Sequence, residues 1–197
     1  MTLAAGRVED GLIRQVQKAL GERSLAAQLA EALYAHNGLE GMPATPAWLA
    51  SQARSALEFI SEKPRKKHKL RIRPLEGEPG RPEGTAVEIL NDDMPFLVDS
   101  IVAELQARGL AVLSFLHPIV KAERDRAGRL QALLGPGDQN WNDGRQESYI
   151  SIRLAPLSDA GERDLAKSLN DVLVTVRAAV ADWQPMLREV RNAIHHL

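Results

Sequence analysis

The ten residues from Asn91 to Ser100 constrain the fold more than any other part of this sequence. They close an alternating, strand-like segment and open a segment with helical spacing of apolar residues. Asp92 and Asp93 stand where a helix presents free backbone N–H groups, and Pro95 follows where a first helical turn tolerates proline. We expect the two carboxylates to cap the helix rather than to bind a metal ion or act as an acid–base pair, because adjacent side chains rarely converge on one cation.

Residues 1–62 read as an N-terminal helical segment with three amphipathic helices. Gly21 supplies a stop after the first helix, Ser24 opens the second, and Thr45 followed by Pro46 opens the third. Short helices bury little apolar surface by themselves. We therefore expect the three to pack together or against the region that follows.

Residues 63–68 read as a basic linker between two regions. Counting on to Arg73, the run holds seven Lys and Arg residues and no acidic residue. Such a run can be a solvated linker or a site for a polyanion. The sequence favours the linker, because aromatic residues are not interleaved with the charges and the net charge of the chain is −1.

Residues 69–197 alternate between strands and helices, in the order strand, strand, helix, strand, strand, helix. Strands are predicted at 69–75, after the turn that ends at Gly84 with Val87 and Ile89 inward, at 111–124 with an edge or bulge at Pro118, and at 149–154. The last helix is long, and its Pro185 is expected to kink it or to split it in two.

This order of elements predicts the topology. One helix joins two strands, so these two strands should be parallel and joined by a right-handed crossover, and hairpins can join the others. Each strand has one apolar face, which implies helices on one side only. The predicted fold class is α+β: N-terminal helices, then a ferredoxin-like sandwich with a mainly antiparallel sheet covered on one face by helices.

No cluster of residues with a recognisable catalytic spacing is present. Ser100 and Ser114 have no neighbouring base, and the glycines of 135–146 lack the P-loop and dinucleotide-binding patterns. The chain has no cysteine. Its five histidines show no metal-ligand spacing, and we interpret His117 as a structural residue. These histidines are His36, His68, His117, His195 and His196.

Composition narrows the class of protein. Hydrophobic residues make up 44% and charged residues 26% of the chain, as in ordinary globular proteins. The near-zero net charge argues against nucleic acid and membrane surfaces as partners. No run reaches the roughly 18 apolar residues of a membrane span, and the N-terminus lacks a secretory hydrophobic region. A cytoplasmic protein is expected.

Read as a string, Asn91 to Ser100 resembles the signature near the N-terminus of the large bacterial NAD-specific glutamate dehydrogenases. Further matches follow in the same order between residues 87 and about 187. They are His117-Pro118, the turn Arg124-Asp125-x-x-Gly128, the tetrad Glu147-Ser148-Tyr149-Ile150, and Asp171-Val172-Leu173 with Val176-Arg177, Val180 and Asp182-Trp183.

The resemblance implies an ACT-type domain, in agreement with the predicted order of elements. In that family the glutamate-binding lysines and the Rossmann nucleotide site lie far downstream, so the chain is expected to be an inactive N-terminal fragment. The implied parent enzyme converts L-glutamate, water and NAD+ into 2-oxoglutarate, ammonium and NADH. NAD is thus a cofactor of the parent, and no cofactor, catalytic residue or metal ligand is expected in this fragment.

ACT domains commonly bind amino acids beside the first strand-to-helix turn, at an interface between two such domains. By this analogy Asn91, Asp92, Asp93 and Met94 are the candidate ligand-binding or interface residues. Two acids and a proline replace the usual glycine-containing turn, and acids repel a carboxylate but accept an ammonium group. We therefore favour a role in homo-oligomer assembly and packing against other domains of the parent chain. The alternative is a regulatory domain that senses an amino-acid effector.

Overall fold

The computed structural model describes residues 2–35, 39, 42–65, 67–75, 83–134 and 145–195. Over these residues the chain forms five helices and six strands. The helices are α1 (Thr2–Leu20), α2 (Leu25–Tyr34), α3 (Pro46–Ile60), α4 (Leu97–Ala107) and α5 (Asp159–His195). The strands are β1 (Lys69–Leu75), β2 (Gly84–Asp92), β3 (Val112–Leu116), β4 (Ile119–Arg124), β5 (Leu130–Leu134) and β6 (Arg145–Leu154).

Helices α2 and α3 begin where the capping residues predict. The Ser24 hydroxyl accepts a hydrogen bond from the backbone N–H of Ala27 at 3.1 Å. Thr45 does the same for Trp48 at 3.3 Å, and Pro46 occupies the first helical position. Each cap satisfies a backbone donor that the first helical turn leaves free, so both helix starts are fixed locally.

The six strands form one sheet in which every ladder is antiparallel. Its order is β1-β2-β6-β4-β5, with β3 also pairing with β6. Because β2 and β3 both run antiparallel to β6, they run parallel to each other, as the helix between them predicts. The predicted α+β class and mainly antiparallel sheet are confirmed.

The segment predicted as one long strand at 111–124 is divided into β3 and β4. Leu116 pairs with Ser151 and Ile119 with Ser148, three residues further along both strands, so the register continues across the gap. The gap holds Pro118, which has no N–H for the ladder and contributes only its carbonyl, to the N–H of Tyr149 at 3.1 Å. The prediction also missed β5, whose sequence Leu-Gln-Ala-Leu-Leu lacks both alternation and β-branched residues.

One apolar cluster joins α1–α3 to the sheet. Strand residues Leu90, Leu116, Val120 and Tyr149 pack there with the buried residues of the three helices, and the Tyr149 ring lies 6.3 Å from that of Phe59. The N-terminal helices thus pack both together and against the sheet. The opposite face of β2 and β6 is buried as well, whereas the alternation of the sequence predicts cover on one face. Its residues include Val87, Ile89, Ile150 and Ile152.

The chain divides into two compact units. The first comprises residues 1–93 and 112–156, and the second comprises 94–111 and 157–197. In the second unit, Arg108 of α4 forms ion pairs with Glu104 and Asp164, and Glu104 accepts a hydrogen bond from Ser168 of α5. Helix α5 runs without interruption through Pro185, so the predicted split of this helix is wrong. The domain boundary predicted at 63–68 stays a prediction.

Candidate functional site

The predicted site residues Asn91 and Asp92 belong to the end of β2. Asn91 is fully buried, and its backbone pairs with Ser148 of β6. Asp92 closes the strand, and its carboxylate lies 2.5 Å from the Lys63 ammonium. Both side chains therefore sit among neighbouring parts of the sheet rather than along an open turn.

Asp93 and Met94 follow the strand. The Asp93 carboxylate is exposed and accepts a hydrogen bond from the Ser148 hydroxyl at 2.8 Å, while its backbone N–H donates to the carbonyl of Gln146 at 3.1 Å. This backbone bond extends the β2–β6 pairing by one residue. Met94 is half-buried. The structure thus brings the two acids to β6 and to the basic segment.

The predicted capping of α4 by Asp92 and Asp93 is wrong. The helix begins at Leu97, and the residue before it, Phe96, has a left-handed backbone with φ of 66° and forms no side-chain cap. Pro95 lies outside the first helical turn. The reason is that β2 continues to Asp92, so the chain completes its turn only at Phe96, and the two acids are occupied by Lys63 and by Ser148 of β6.

His117 joins the same region through Ser148. Its Nε2 lies 3.1 Å from the Ser148 hydroxyl, which in turn donates to Asp93. Burial lowers the pKa of His117, and the nearby Asp93 opposes that shift. The serine stands between the histidine and the acid, whereas a nucleophilic triad needs the histidine between serine and acid. These contacts fit the interpretation of His117 as a structural residue.

One group of charges lies at the ends of β2, β4 and β6 and at Lys63, in the segment before β1. Glu147 is 1% exposed and accepts two hydrogen bonds from the Arg124 guanidinium, at 2.9 and 2.8 Å. Lys63 is 5% exposed and pairs with Asp92, with Glu147 at 3.8 Å. Lys63 is therefore buried, although the sequence favours a solvated linker. We call Lys63, Asp92, Arg124 and Glu147 the ionic cluster.

Backbone contacts fasten the ionic cluster to the β4–β5 turn and to α3. Arg124 donates to the carbonyls of Gly128 and Ile60, both at 2.9 Å, and the Lys63 N–H donates to Gly128 at 3.0 Å. Gly128 has φ of +87°, and a Cβ there would lie 2.2 Å from the Lys63 carbonyl oxygen. Only glycine fits this approach.

A second set of buried charges surrounds Glu88 of β2. Its carboxylate accepts hydrogen bonds from Arg71 at 2.7 Å, Arg73 at 3.1 Å and the Tyr149 hydroxyl at 2.8 Å. Burial raises the pKa of Tyr149 well above its usual value, and the Glu88 charge raises it further. All four groups have partners, which is the arrangement of a structural network rather than of a reactive one.

A cavity of about 300 Å³ opens beside the ionic cluster. Residues of the basic segment, the β4–β5 hairpin and the start of β6 line it. Four of the lining side chains are cationic and three are acidic. They are Lys63, Arg65, Arg124 and Arg145, and Glu123, Asp125 and Glu147.

The chemistry that these side chains support is binding and positioning. Within the part of the chain that the structure describes, no three His, Asp or Glu residues converge as a metal-binding group would require. His36, His196 and the side chain of His195 lie outside that part. Across the described residues, none of the helices has the length and apolar character needed to span a bilayer.

Sequence reasoning missed Lys63, Arg124, Glu147 and Glu88 as members of buried ion pairs. One signal was available for Glu88: it stands between Val87 and Ile89 inside a predicted strand. An acid there needs a cationic partner. The identity of that partner depends on which strands are neighbours, which periodicity does not reveal.

Comparison with known proteins gives matches that agree with one another. Residues 29–169 match the family described as glutamate dehydrogenase, ACT1 domain. The chain is 38% identical over 111 residues, 56% of its length, to the NAD-specific glutamate dehydrogenase of Pseudomonas aeruginosa. It is 38% identical over 114 residues, 57% of its length, to the Halomonas elongata enzyme of the same name. The matched region spans 7% of the length of each relative.

Proposed function

Because this chain belongs to the glutamate dehydrogenase ACT1-domain family, we propose that it forms the N-terminal, non-catalytic ACT-type domain of a NAD-specific glutamate dehydrogenase. The family match over residues 29–169 carries the proposal, and the two relatives support it. The parent enzyme then oxidises L-glutamate with NAD+ in the cytoplasm, through residues outside this domain. The domain contributes neither a catalytic group nor a part of the NAD site.

The role we propose for the domain is subunit assembly and packing against other domains of the parent chain. The acids of the strand-to-helix corner support this role, because Asp92 and Asp93 are engaged by Lys63 and Ser148 inside the domain. Exposed aromatic side chains in the second unit support it further. Phe96 and Trp183 are 51% and 44% exposed, and their rings meet edge to face at 6.2 Å.

The test compares assembly of the parent enzyme with and without residues 1–197, by light scattering and sedimentation. We expect the deletion variant to lose the normal oligomer. Where the remaining chain folds correctly, it should still form NADH from glutamate, which absorbance measures. A monomeric 197-residue chain, together with a parent that assembles normally without it, would contradict the role in assembly.

A matched pair of variants sharpens this test. The double variant Phe96→Ser/Trp183→Ser removes the exposed aromatic pair and should weaken assembly, whereas Val174→Ser should leave it unchanged. Val174 is 54% exposed on the same helix, but it lies about two and a half turns from Trp183 and so faces the opposite way. Equal effects of the two changes would argue against a defined interface at the aromatic pair.

The second candidate function is regulation by an amino acid bound at Asn91–Met94. One observation favours it: the Asp93 carboxylate is exposed and keeps acceptor capacity beyond its bond to Ser148 for an ammonium group. Calorimetry of the chain against the common amino acids should then give heats that Asp93→Asn abolishes. The matched control is Asp99→Asn, a nearby exposed acid on α4. Absence of heat across the panel would exclude this function.

A further inference from the structure

Two arginines line the cavity beside the ionic cluster without a side-chain partner among the described residues. The side chains of Arg65 and Arg145 line the cavity, are exposed, and make no hydrogen bond or ion pair with any residue that the structure describes. They come from different parts of the fold, the segment before β1 and the first residue of β6. Two guanidinium groups without a partner among the described residues thus line one cavity.

The remaining charges in the wall are largely neutralised within the fold. Glu147 is held by Arg124, and Lys63 is held by Asp92. The Asp125 carboxylate accepts hydrogen bonds within the β4–β5 turn, from two backbone N–H groups and from the Arg129 side chain. The wall therefore offers a ligand more positive than negative charge.

The buried part of the wall adds donors. The Arg124 side chain is 9% exposed and makes four of the five hydrogen bonds that a guanidinium can donate. The Lys63 ammonium has three donors and one close partner, Asp92. Because other contacts hold both side chains in place, a ligand would meet preorganised donors at the inner end and adaptable ones at the rim.

We propose that this cavity binds a small dicarboxylate, with Arg65 and Arg145 each pairing with one carboxylate group. The planar guanidinium matches a carboxylate through two parallel hydrogen bonds, which a single ammonium group cannot reproduce. A volume of about 300 Å³ is at the lower end of the range of small-molecule sites. Glu123, the remaining exposed acid of the wall, would disfavour larger polyanions such as nucleic acid.

This proposal goes beyond the proposed parentage and does not depend on it, since it rests on the cavity alone. It also differs in place from the corner Asn91–Met94. The probes are succinate, 2-oxoglutarate, L-glutamate and inorganic phosphate, each titrated into the 197-residue chain by calorimetry and by NMR chemical-shift mapping. The dicarboxylates without an ammonium group are expected to bind, with the largest shifts at Arg65, Arg124 and Arg145.

The decisive variants are Arg65→Gln and Arg145→Gln, which should each weaken dicarboxylate binding about tenfold by removing charge-assisted hydrogen bonds. The matched control is Arg126→Gln, an exposed arginine of the same β4–β5 turn that does not line the cavity. It should leave binding unchanged. Melting temperatures within a degree or so of the parent chain would show that all three variants are folded.

Each other outcome overturns the proposal. If phosphate binds as tightly as succinate, the site is a general anion site and not a dicarboxylate site. If Arg126→Gln weakens binding as much as Arg145→Gln, the attraction is that of the surface charge as a whole. If only L-glutamate binds and Asp93→Asn removes it, the ligand site is the corner. A failure to bind any probe excludes the site but leaves the proposed parentage unaffected.

Discussion

At the residue scale, the stability of the first unit depends on a few charged side chains that are buried. Lys63 and Glu147 are nearly fully buried, and Arg124 spans the carbonyls of α3 and the β4–β5 turn while holding Glu147. Removing charge from water is costly, and the cost is offset only when every member of the cluster keeps its partners. The cluster is therefore more sensitive to the loss of one member than surface ion pairs are.

The first prediction concerns Glu147. We expect Glu147→Ala to lower the free energy of unfolding by about 3–5 kcal/mol, because Arg124 loses its carboxylate partner and Lys63 a nearby one in a buried setting. Glu123→Ala, on the adjacent strand but exposed, should change it by less than about 0.5 kcal/mol. Urea denaturation followed by circular dichroism measures both. Similar losses for the two variants would mean that the buried ionic cluster contributes no more to the free energy of unfolding than an exposed glutamate does.

The second prediction separates backbone strain from steric clash at two glycines. Gly128→Ala should destabilise the chain more than Gly109→Ala, although both glycines have positive φ, +87° and +66°. The left-handed conformation costs an alanine about 1–2 kcal/mol at either site. At Gly128 a Cβ would also meet the Lys63 carbonyl at 2.2 Å, whereas at Gly109 nothing lies within 4 Å. Equal losses in denaturant melts would refute the close approach.

At the scale of elements, helix starts follow two different rules in this chain. Helices α2 and α3 begin at side-chain caps supplied by Ser24 and Thr45. Helix α4 begins at Leu97, and the residue before it, Phe96, has a left-handed conformation and forms no side-chain cap. The difference arises because β2 runs directly into the corner, and the sheet fixes the path of the chain as far as Asp93.

The third prediction tests the local cap of α3. Thr45→Ala should lower the free energy of unfolding by about 1 kcal/mol, since it leaves the N–H of Trp48 without its acceptor. Thr45→Asp should lose much less, because its carboxylate can accept the same bond and also favours the positive end of the helix. Thermal melts of both variants provide the measurement. An equal loss for Thr45→Asp would assign the effect to packing of the threonine methyl group.

At the scale of the whole molecule, the chain buries both of its tyrosines. Tyr34 donates to the Leu49 carbonyl at 3.0 Å, and Tyr149 donates to Glu88 at 2.8 Å. Burial raises the pKa of each phenol far above its usual value of about 10. Above a pH of about 10 the folded state therefore keeps both phenols protonated, whereas the unfolded state releases these protons.

The fourth prediction follows from the sign of these shifts. Stability from the two phenols is fully present below the unfolded pKa of about 10 and is lost as the pH rises above it, because the unfolded state then releases protons that the native state retains. Ultraviolet absorbance of tyrosinate should thus rise together with loss of the circular dichroism signal, in one transition. A gradual rise with an ordinary pKa while the chain remains folded would contradict the burial of these side chains.

The sequence by itself determined those features that depend on neighbours along the chain. The alternation at 69–75 predicts β1 with its observed bounds, and Gly21, Ser24 and Thr45 mark helix ends and starts, because caps and turns are satisfied within a few residues. The signature at 91–100 and the matches after it also sufficed to predict the family. These features depend on residues that are close in sequence or on sequence motifs.

Only the tertiary structure decided the partners of the charged residues. Asp92 follows a sequence rule for capping, yet it pairs with Lys63, which lies 29 residues earlier in the chain. Arg124 and Glu147 meet because β4 and β6 are neighbours in the sheet. Asp92 pairs with the buried Lys63 rather than with a helix, and which charges become neighbours is fixed by the tertiary packing, which no short-range pattern encodes.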